Sequence, residues 1–288
     1  MNNVKIKIAP GIQMFLEYYA LFQSCSHIHF HILLDKKIIQ IIRPEWPQSW
    51  RDNLNTVLKF LFKDVSNVTV LEDEADHTEI DFISENHLLA QEIASTLRIP
   101  HQSLLPISES KLFDSEDSID NYIVMNTKCM SGMDKDLHIM WNNIKNNLFN
   151  LFNEYDLKVK IIGERQHNHC SELKWHGTFP IYDDIVNGNI NNLEDLTKPD
   201  SLSLYDVDCV IENMTMLKKS VMNIHIGEGG GQTVYAHMNN VLSLTRKGIG
   251  PNSNIMFSYI KNPKFAINTT DTNVFLNILR EKLETFTS

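Results

Sequence analysis

The sequence predicts an α/β protein with mostly parallel sheets and two domains. Short apolar runs of β character alternate with amphipathic stretches along nearly the whole chain, an order typical of parallel sheets covered on both faces. A length of 288 residues suits about two domains. An acidic, serine-rich stretch with little periodicity, 107–121, separates the halves. We therefore predict domains at 1–115 and 116–288.

The first half has the pattern of a small α/β domain. Its predicted elements are a strand at 4–9, a helix at 12–22, two strands at 27–34 and 36–42, a helix at 50–62, strands at 67–72 and 78–83, and a helix at 85–97. The two neighbouring strands meet at Asp35 and favour a hairpin, which would bring an antiparallel element into this domain.

The second half is more regular. After a strand at 121–128, apolar residues at steps of three, four and one predict a helix; they are Leu137, Trp141, Ile144, Leu148, Leu151 and Phe152. The remaining predictions are a strand at 158–164, a helix-like 193–197, apolar stretches at 205–213 and 214–222, a strand at 223–227, a short helix at 233–240, a strand at 241–245, and a final helix with Val274, Phe275, Ile278, Leu279, Leu283 and Phe286 on one face.

Composition limits the functions to consider. A formal net charge of −10 argues against a protein that mainly binds nucleic acid or an anionic membrane. The four cysteines form no CxxC pair, so neither a zinc ribbon nor a disulfide framework is indicated. No leader-like N-terminus and no apolar run of about 18 residues is found. These features predict a cytoplasmic protein and leave a peripheral membrane contact open.

The most distinctive stretch is NIHIGEGGGQTVYAHMNN, 223–240, where four glycines fall within five residues. A strand, a glycine-rich loop and a helix in this order can bind an anion, because the helix directs free N–H groups and its positive dipole end at the ligand. The dinucleotide fingerprint fails at Gln232, where a third glycine is needed, and the P-loop fails because Gln232 and Thr233 follow Gly231. The alternatives are a phosphate- or sugar-diphosphate-binding loop and a tight structural turn.

A second candidate lies at the end of the strand KVKII, where Gly163, Glu164 and Arg165 follow. The glycine allows a sharp turn, the carboxylate could accept hydrogen bonds from ribose hydroxyls, and the guanidinium could bind phosphate through two donors. The alternative is an exposed loop joined by salt bridges. Asn126 to Lys128 would lie at the same sheet edge, where ligands of such sheets bind.

These motifs together resemble the C-terminal, donor-binding domain of GT-B glycosyltransferases, most nearly the heptosyltransferase-like group. The resemblance covers roughly residues 121–245 and implies two Rossmann-like domains that face a cleft. It implies a nucleotide-sugar donor in the second domain and an acceptor on the side of the first. The residues that the resemblance places at the donor site are Lys128, Gly163, Glu164, Gly229, Gly230, Gly231, Gln232 and His237. Arg165 and Thr233 are added to the predicted site because they directly follow Glu164 and Gln232 in the sequence.

Two features of the first half are candidates for catalysis. Gly11 follows the first strand, and Glu17, further along the next helix, could act as a general base. In SHIHFHILL, His27, His29 and His31 share one face of a strand and could bind zinc or iron. The alternative is a polar strand face, on which His29 could contact the acceptor at a cleft.

The sequence thus predicts a glycosyltransferase, of hexosyl or heptosyl type, that serves polysaccharide biosynthesis. We expect a nucleotide-sugar donor, a glycan or lipid-linked acceptor, no nucleic-acid partner and no metal cofactor. Glu17 and His29 are the predicted catalytic residues. Two alternatives stay open: a non-catalytic nucleotide- or sugar-binding protein, and a metal-dependent enzyme built on the three histidines.

Overall fold

The computed structural model describes residues 3–35, 48–76, 79–99, 120–126, 135–163, 165, 180–199, 206–226, 241–244, 266–269 and 271–287. The strands in these ranges form one sheet of three strands and one of six. All their pairings are parallel, which confirms the predicted α/β class. The chain divides into two compact units, an N-terminal unit of 1–114 with 205–207 and a C-terminal unit of 115–204 with 208–288.

The N-terminal unit contains the three-stranded sheet, in the order β1-β2-β3. Its elements are β1 (Asn3–Ile8), α1 (Ile12–Ser24), β2 (His29–Leu34), α2 (Gln48–Phe62), β3 (Val68–Val70) and α3 (Ala90–Thr96). Alternate residues of the strands are apolar and buried, and Phe22 of α1 stacks on Phe30 of β2 with ring centroids 4.2 Å apart. This face of the sheet therefore carries the core of the unit.

The other face of this sheet carries cationic side chains. Lys5 and Lys7 are 2% and 8% exposed. The Lys5 ammonium donates to the carbonyls of Glu74 and Asp76 at 2.5 and 2.7 Å, and the Lys7 ammonium lies 2.7 Å from the Glu74 carboxylate. Buried ammonium groups need such partners, so the acidic segment after β3 satisfies the lysines that β1 places on this face.

The C-terminal unit contains the six-stranded sheet, in the order β6-β5-β4-β7-β8-β9. Its strands are β4 (Asp120–Asn126), β5 (Lys158–Ile162), β6 (Leu193–Asp195), β7 (Ser220–Ile226), β8 (Val241–Leu244) and β9 (Ala266–Thr269). Its helices are α4 (Lys135–Glu154), α5 (Pro180–Val186), α6 (Val207–Lys219) and α7 (Thr272–Thr287).

Helices lie on both faces of this sheet. On one face, the core includes the apolar stripe of α4, with Trp141, Ile144 and Leu148 at most 2% exposed, as the helical period predicted. Residues of α5 and α7 join the same core. On the other face, the Tyr122 hydroxyl of β4 donates to the Met216 carbonyl of α6 at 3.0 Å. Burial from both sides explains why all of β7 is buried.

Three predicted elements of the C-terminal unit need correction. The helix-like 193–197 contains β6 instead, because Leu193 pairs with Val159 at the edge of β5. The stretches 205–213 and 214–222 contain α6 and the start of β7. The helix ends there because Ser220 Oγ and Asn223 Nδ2 both donate to the Leu217 carbonyl, at 2.9 and 2.8 Å. The sequence did not predict α5 or β9, and the predicted helix 233–240 lies outside the described residues.

The N-terminal unit differs from prediction in two places, and the predicted hairpin stays a prediction. β2 pairs in parallel with β1, and the second strand of the predicted hairpin, 36–42, lies outside the described residues. The predicted strand 78–83 is only an isolated bridge between Lys5 and Phe82. The predicted helix 85–97 begins only at Ala90, because the Glu92 carboxylate accepts from the Leu89 N–H at 2.7 Å and caps the helix there.

Candidate functional site

The strand order of the six-stranded sheet reverses between β4 and β7. Numbered along the chain within this sheet, the strands lie in the order 3-2-1-4-5-6, with helices on both faces. In open sheets wound this way, ligands bind outside the carboxyl ends of the strands that flank the reversal. These strands end at Asn126 and Ile226, and their two ends define the candidate site.

Two polar residues stand beside each other at this edge. Asn126 of β4 is the register partner of His225 of β7, and Ser243 of β8 occupies the next position in the same row. His225 is 2% exposed, and burial lowers its pKa to about 4, so its ring is neutral at pH 7. A neutral imidazole and an amide offer both donors and acceptors without adding charge.

Sequence reasoning assigned no role to Asn126 or His225, although Asn126 begins a stretch that it placed at this edge. Both lie inside the apolar runs IVMN and NIHI, for which the sequence predicts strands. The available signal was a polar residue near the end of each strand, Asn126 as the last residue of β4 and His225 as the last but one of β7. Only the pairing of β4 with β7, strands far apart in the sequence, reveals that the two are neighbours.

The next strand end along the sheet carries Gly163 and Arg165. Gly163 has a φ of 112°, a conformation that glycine adopts without strain, which explains the glycine at this turn. The Gly163 carbonyl accepts from the Lys198 N–H at 2.8 Å, and the Arg165 N–H donates to the Lys198 carbonyl at 2.9 Å. The loops after β5 and β6 are thus joined by their backbones.

The Arg165 side chain contacts residues at the end of β6. Its Nε donates to Thr197 Oγ1 at 2.8 Å, and its guanidinium lies 3.4 Å from the Asp195 carboxylate. Burial raises the pKa of Asp195, but hydrogen bonds from Thr197 and Tyr182 and the Arg165 charge outweigh it and hold the pKa below its usual range. The Arg165 side chain is 42% exposed, so these contacts leave part of it open to solvent.

Several residues predicted at the donor site lie outside the described residues. They are Lys128, Glu164, Gly229, Gly230, Gly231, Gln232, Thr233 and His237. Their predicted roles stay predictions. In the sequence, the glycine-rich segment 227–231 follows β7 directly, and Lys128 lies two residues beyond β4.

The two predicted catalytic residues lie in different parts of the N-terminal unit. Glu17 is half-buried in the second turn of α1, where its charge contributes to a raised pKa of Tyr18. His29 is the first residue of β2, so it lies at the amino end of that strand, about 16 Å from the carboxyl end at roughly 3.3 Å per residue. Its Nε2 lies 2.8 Å from Thr69 Oγ1.

The three histidines that the sequence offers as an alternative metal site are only partly brought together. The rings of His29 and His31 have centroids 4.7 Å apart. His27 is exposed in the turn before β2 and does not belong to the strand, contrary to the prediction. Among the described residues, no group of three or more His, Cys, Asp or Glu side chains is placed to hold a metal ion.

Within the described ranges, no helix has the length and apolar character needed to cross a membrane. No family model and no curated protein sequence matches the chain.

Two solved structures are similar to the chain over nearly its whole length. A glycosyl transferase of family 9 from Veillonella parvula shares 9% identity at a TM-score of 0.44, covering 99% of this chain and 98% of that one. MurG from Acinetobacter baumannii shares 9% identity at a TM-score of 0.37, covering 100% and 94%. The fold of each unit is established by its own strand pairings.

Proposed function

We propose that the protein is a glycosyltransferase that moves a sugar from a nucleotide-sugar donor to a glycan or lipid-linked acceptor. One observation supports this most: the reversal of strand order lies at the end of β7, where the sequence continues directly into the glycines of 227–231. Open sheets of this order bind nucleotides at that point, and backbone N–H groups of a glycine-rich loop suit phosphate.

In this proposal, the carboxyl edge of the C-terminal unit binds the donor. Departure of the nucleoside diphosphate leaves negative charge on its phosphate oxygens, and fixed donors stabilise that charge. The glycine loop with Gln232, Thr233 and His237 supplies such donors, and Lys128 and Arg165 supply positive charge. Gly163 and Glu164 stand near the ribose. The proposal assigns no metal ion to this step.

The acceptor hydroxyl loses its proton as it attacks the sugar, so a base is needed. Glu17 and His29 are the candidates that the sequence supplies, and the N-terminal unit is the proposed acceptor side. The finer proposals are a hexosyl or heptosyl transfer, a role in polysaccharide biosynthesis, and a cytoplasmic protein that contacts the membrane peripherally.

The test is release of nucleoside diphosphate from UDP-glucose, GDP-mannose and ADP-glucose, each with a panel of methyl glycosides as acceptors. We expect one donor to react with the wild type and Gly230→Asp to abolish that reaction, because the substitution adds negative charge to the proposed phosphate loop. The matched control is Asn189→Asp, which adds the same charge at an exposed position of the same unit. Equal turnover by Gly230→Asp and wild type would contradict the proposed loop.

A further inference from the structure

A cavity of about 400 Å³ lies between α4 and the end of α5 in the C-terminal unit. α4 lines it with Lys145, Asn146, Phe149 and Asn150, and the loop after α5 lines it with residues 187–189. The volume is within the range of cavities that bind small ligands. Asn146 and Asn150 are exposed, so a ligand can enter the cavity from solvent.

The cavity is remote from the candidate donor site of the same unit. The end of α4 leads into the first residue of β5, Lys158, and the loop after α5 leads into the first residue of β6, Leu193. The cavity therefore lies at the amino edge of the six-stranded sheet, whereas the candidate donor site lies at the carboxyl edge. The five residues of β5 alone span about 16 Å between these edges, at roughly 3.3 Å per residue.

The loop that forms one wall of the cavity is fixed by hydrogen bonds. Asn153 of α4 binds it twice: Nδ2 donates to the Asn189 carbonyl at 2.5 Å, and Oδ1 accepts from the Asn191 N–H at 2.9 Å. The Gly188 N–H donates to the Ile185 carbonyl at 3.1 Å. A wall held in this way needs little rearrangement when a ligand binds, which lowers the cost of binding.

A carboxylate at the cavity has one oxygen available to a ligand. Trp141 Nε1 and Lys145 Nζ both donate to Oδ2 of Asp184, at 2.7 and 3.0 Å. Within the described residues, Oδ1 of Asp184 accepts no hydrogen bond. The Lys145 charge balances that of the carboxylate, so the pair offers an acceptor without net charge at the cavity.

Two amides of α4 are also available. Asn146 and Asn150 are four residues apart on the helix, which places their Cβ atoms about 5–6 Å from each other. Neither side chain is hydrogen-bonded to another of the described residues. Each amide offers an acceptor and two N–H donors, and Phe149 adds apolar surface between them. Sugars match this combination, because their hydroxyls both donate and accept and their ring C–H groups are apolar.

We propose that this cavity binds one pyranose unit of a neutral saccharide. One hydroxyl donates to Oδ1 of Asp184, neighbouring hydroxyls bond to the amides of Asn146 and Asn150, and the C–H groups of the ring contact Phe149. A charged sugar binds less well, because the Asp184 and Lys145 charges already balance each other. The site does not depend on the proposed transfer reaction and lies at the opposite edge of the sheet from the proposed donor site.

The first test titrates sugars into the ¹⁵N-labelled full chain and follows the side-chain amide signals. The probes are the methyl glycosides of glucose, galactose, mannose and N-acetylglucosamine, and the charged comparisons are glucuronic acid and glucosamine. We expect at least one neutral glycoside to shift the signals of Asn146 and Asn150 to saturation, with one-to-one stoichiometry. The indole N–H signal of Trp141 should shift with them, because it bonds to the same carboxylate.

The second test changes one amide. Asn150→Ala should raise the Kd of the bound glycoside about 2- to 10-fold, the loss expected for one hydrogen bond. Its fold is checked by urea titration. The matched control is Asn147→Ala, which removes an exposed amide of the same helix that does not line the cavity and should leave the Kd unchanged.

Four results would overturn the proposal. They are no saturable shift of either asparagine signal with any neutral glycoside up to tens of millimolar, equal Kd for Asn150→Ala and wild type, tighter binding of a charged sugar, and shifts that centre on the carboxyl edge near Ile162 and Ile226. Failure of the proposed function is seen separately, because nucleotides are titrated in their own experiment and report on the carboxyl edge.

Discussion

Removal of one buried hydroxyl, in Tyr18→Phe, should destabilise the carboxyl edge of the N-terminal unit. The phenol is 0% exposed and makes two hydrogen bonds, from the Ala9 N–H and to the Leu88 carbonyl. Each bond contributes about 0.5–1.5 kcal/mol, and a buried group left unsatisfied adds to the cost. We expect a loss of about 2–3 kcal/mol in the free energy of unfolding, measured by urea titration.

Amide hydrogen exchange locates the effect. Ala9 and Leu88 should exchange faster in Tyr18→Phe, because the hydroxyl joins their two segments. The matched control is Tyr19→Phe on the same helix, where the hydroxyl accepts from Gln23 Nε2 at 3.2 Å; we expect a cost below about 1 kcal/mol. Equal unfolding free energies for Tyr18→Phe and wild type, with unchanged exchange at Leu88, would refute the reasoning.

The hydroxyl bridge also has a predictable pH dependence. Burial raises the pKa of Tyr18 well above its usual range, and the charges of Glu17 and Glu92 add to this effect, against a lowering by the Ala9 N–H. The folded protein therefore keeps the protonated phenol. This contribution to stability is complete below the unfolded pKa of about 10 and is lost as the pH rises above it.

Three further predictions concern packing and buried polar groups. Asn67→Ala should lower the free energy of unfolding, measured in urea, by about 2–3 kcal/mol, because the Asn67 amide donates to the carbonyls of Phe22, Cys25 and Ile28 at 3.0–3.2 Å. Asn67→Asp should lower it further, since a carboxylate would face the same three carbonyl oxygens. Gly188→Ala should lower the free energy of unfolding by about 1–3 kcal/mol, because a Cβ at this position would lie 2.6 Å from Phe149 Cε2 and 2.7 Å from the Asp184 carbonyl oxygen. Its control, Asn189→Ala at the exposed neighbouring position, should leave the free energy of unfolding nearly unchanged in the same urea titration. His225 has a folded pKa of about 4, below the usual 6.5, so its contribution to stability is complete above pH 6.5 and is lost as the pH falls toward 4. His225→Asn should flatten the urea-unfolding free energy over that range, and an unchanged slope would refute this.

The pattern of strands and helices was largely predictable, because periodicity is a local property. The stripe of Trp141, Ile144 and Leu148 faces the core as the helical period required. β6 was missed because a strand of 3 residues forms through its pairing with β5 and not through its own pattern. The start of β7 was misplaced because two side-chain bonds to the Leu217 carbonyl end α6, and these depend on tertiary positions.

The candidate sites were predictable only where one segment carries the signal. Gly163 was identified from its place at a strand end, and its positive φ explains the glycine. Asn126 and His225 lie on strands that are far apart in the sequence. No local pattern could bring the two together. Position along parallel strands was the missing information, and only the register supplies it.

The central claim is that the edge of the C-terminal unit, where the strand order reverses, binds a nucleotide. The most direct measurement is calorimetric titration of the wild type and of Gly230→Asp with UDP, GDP, ADP and CMP. Our account predicts that one nucleotide binds to the wild type with one-to-one stoichiometry and that Gly230→Asp loses it, while Asn189→Asp binds normally. Failure of all four nucleotides to bind the folded wild type at millimolar concentration would contradict the account.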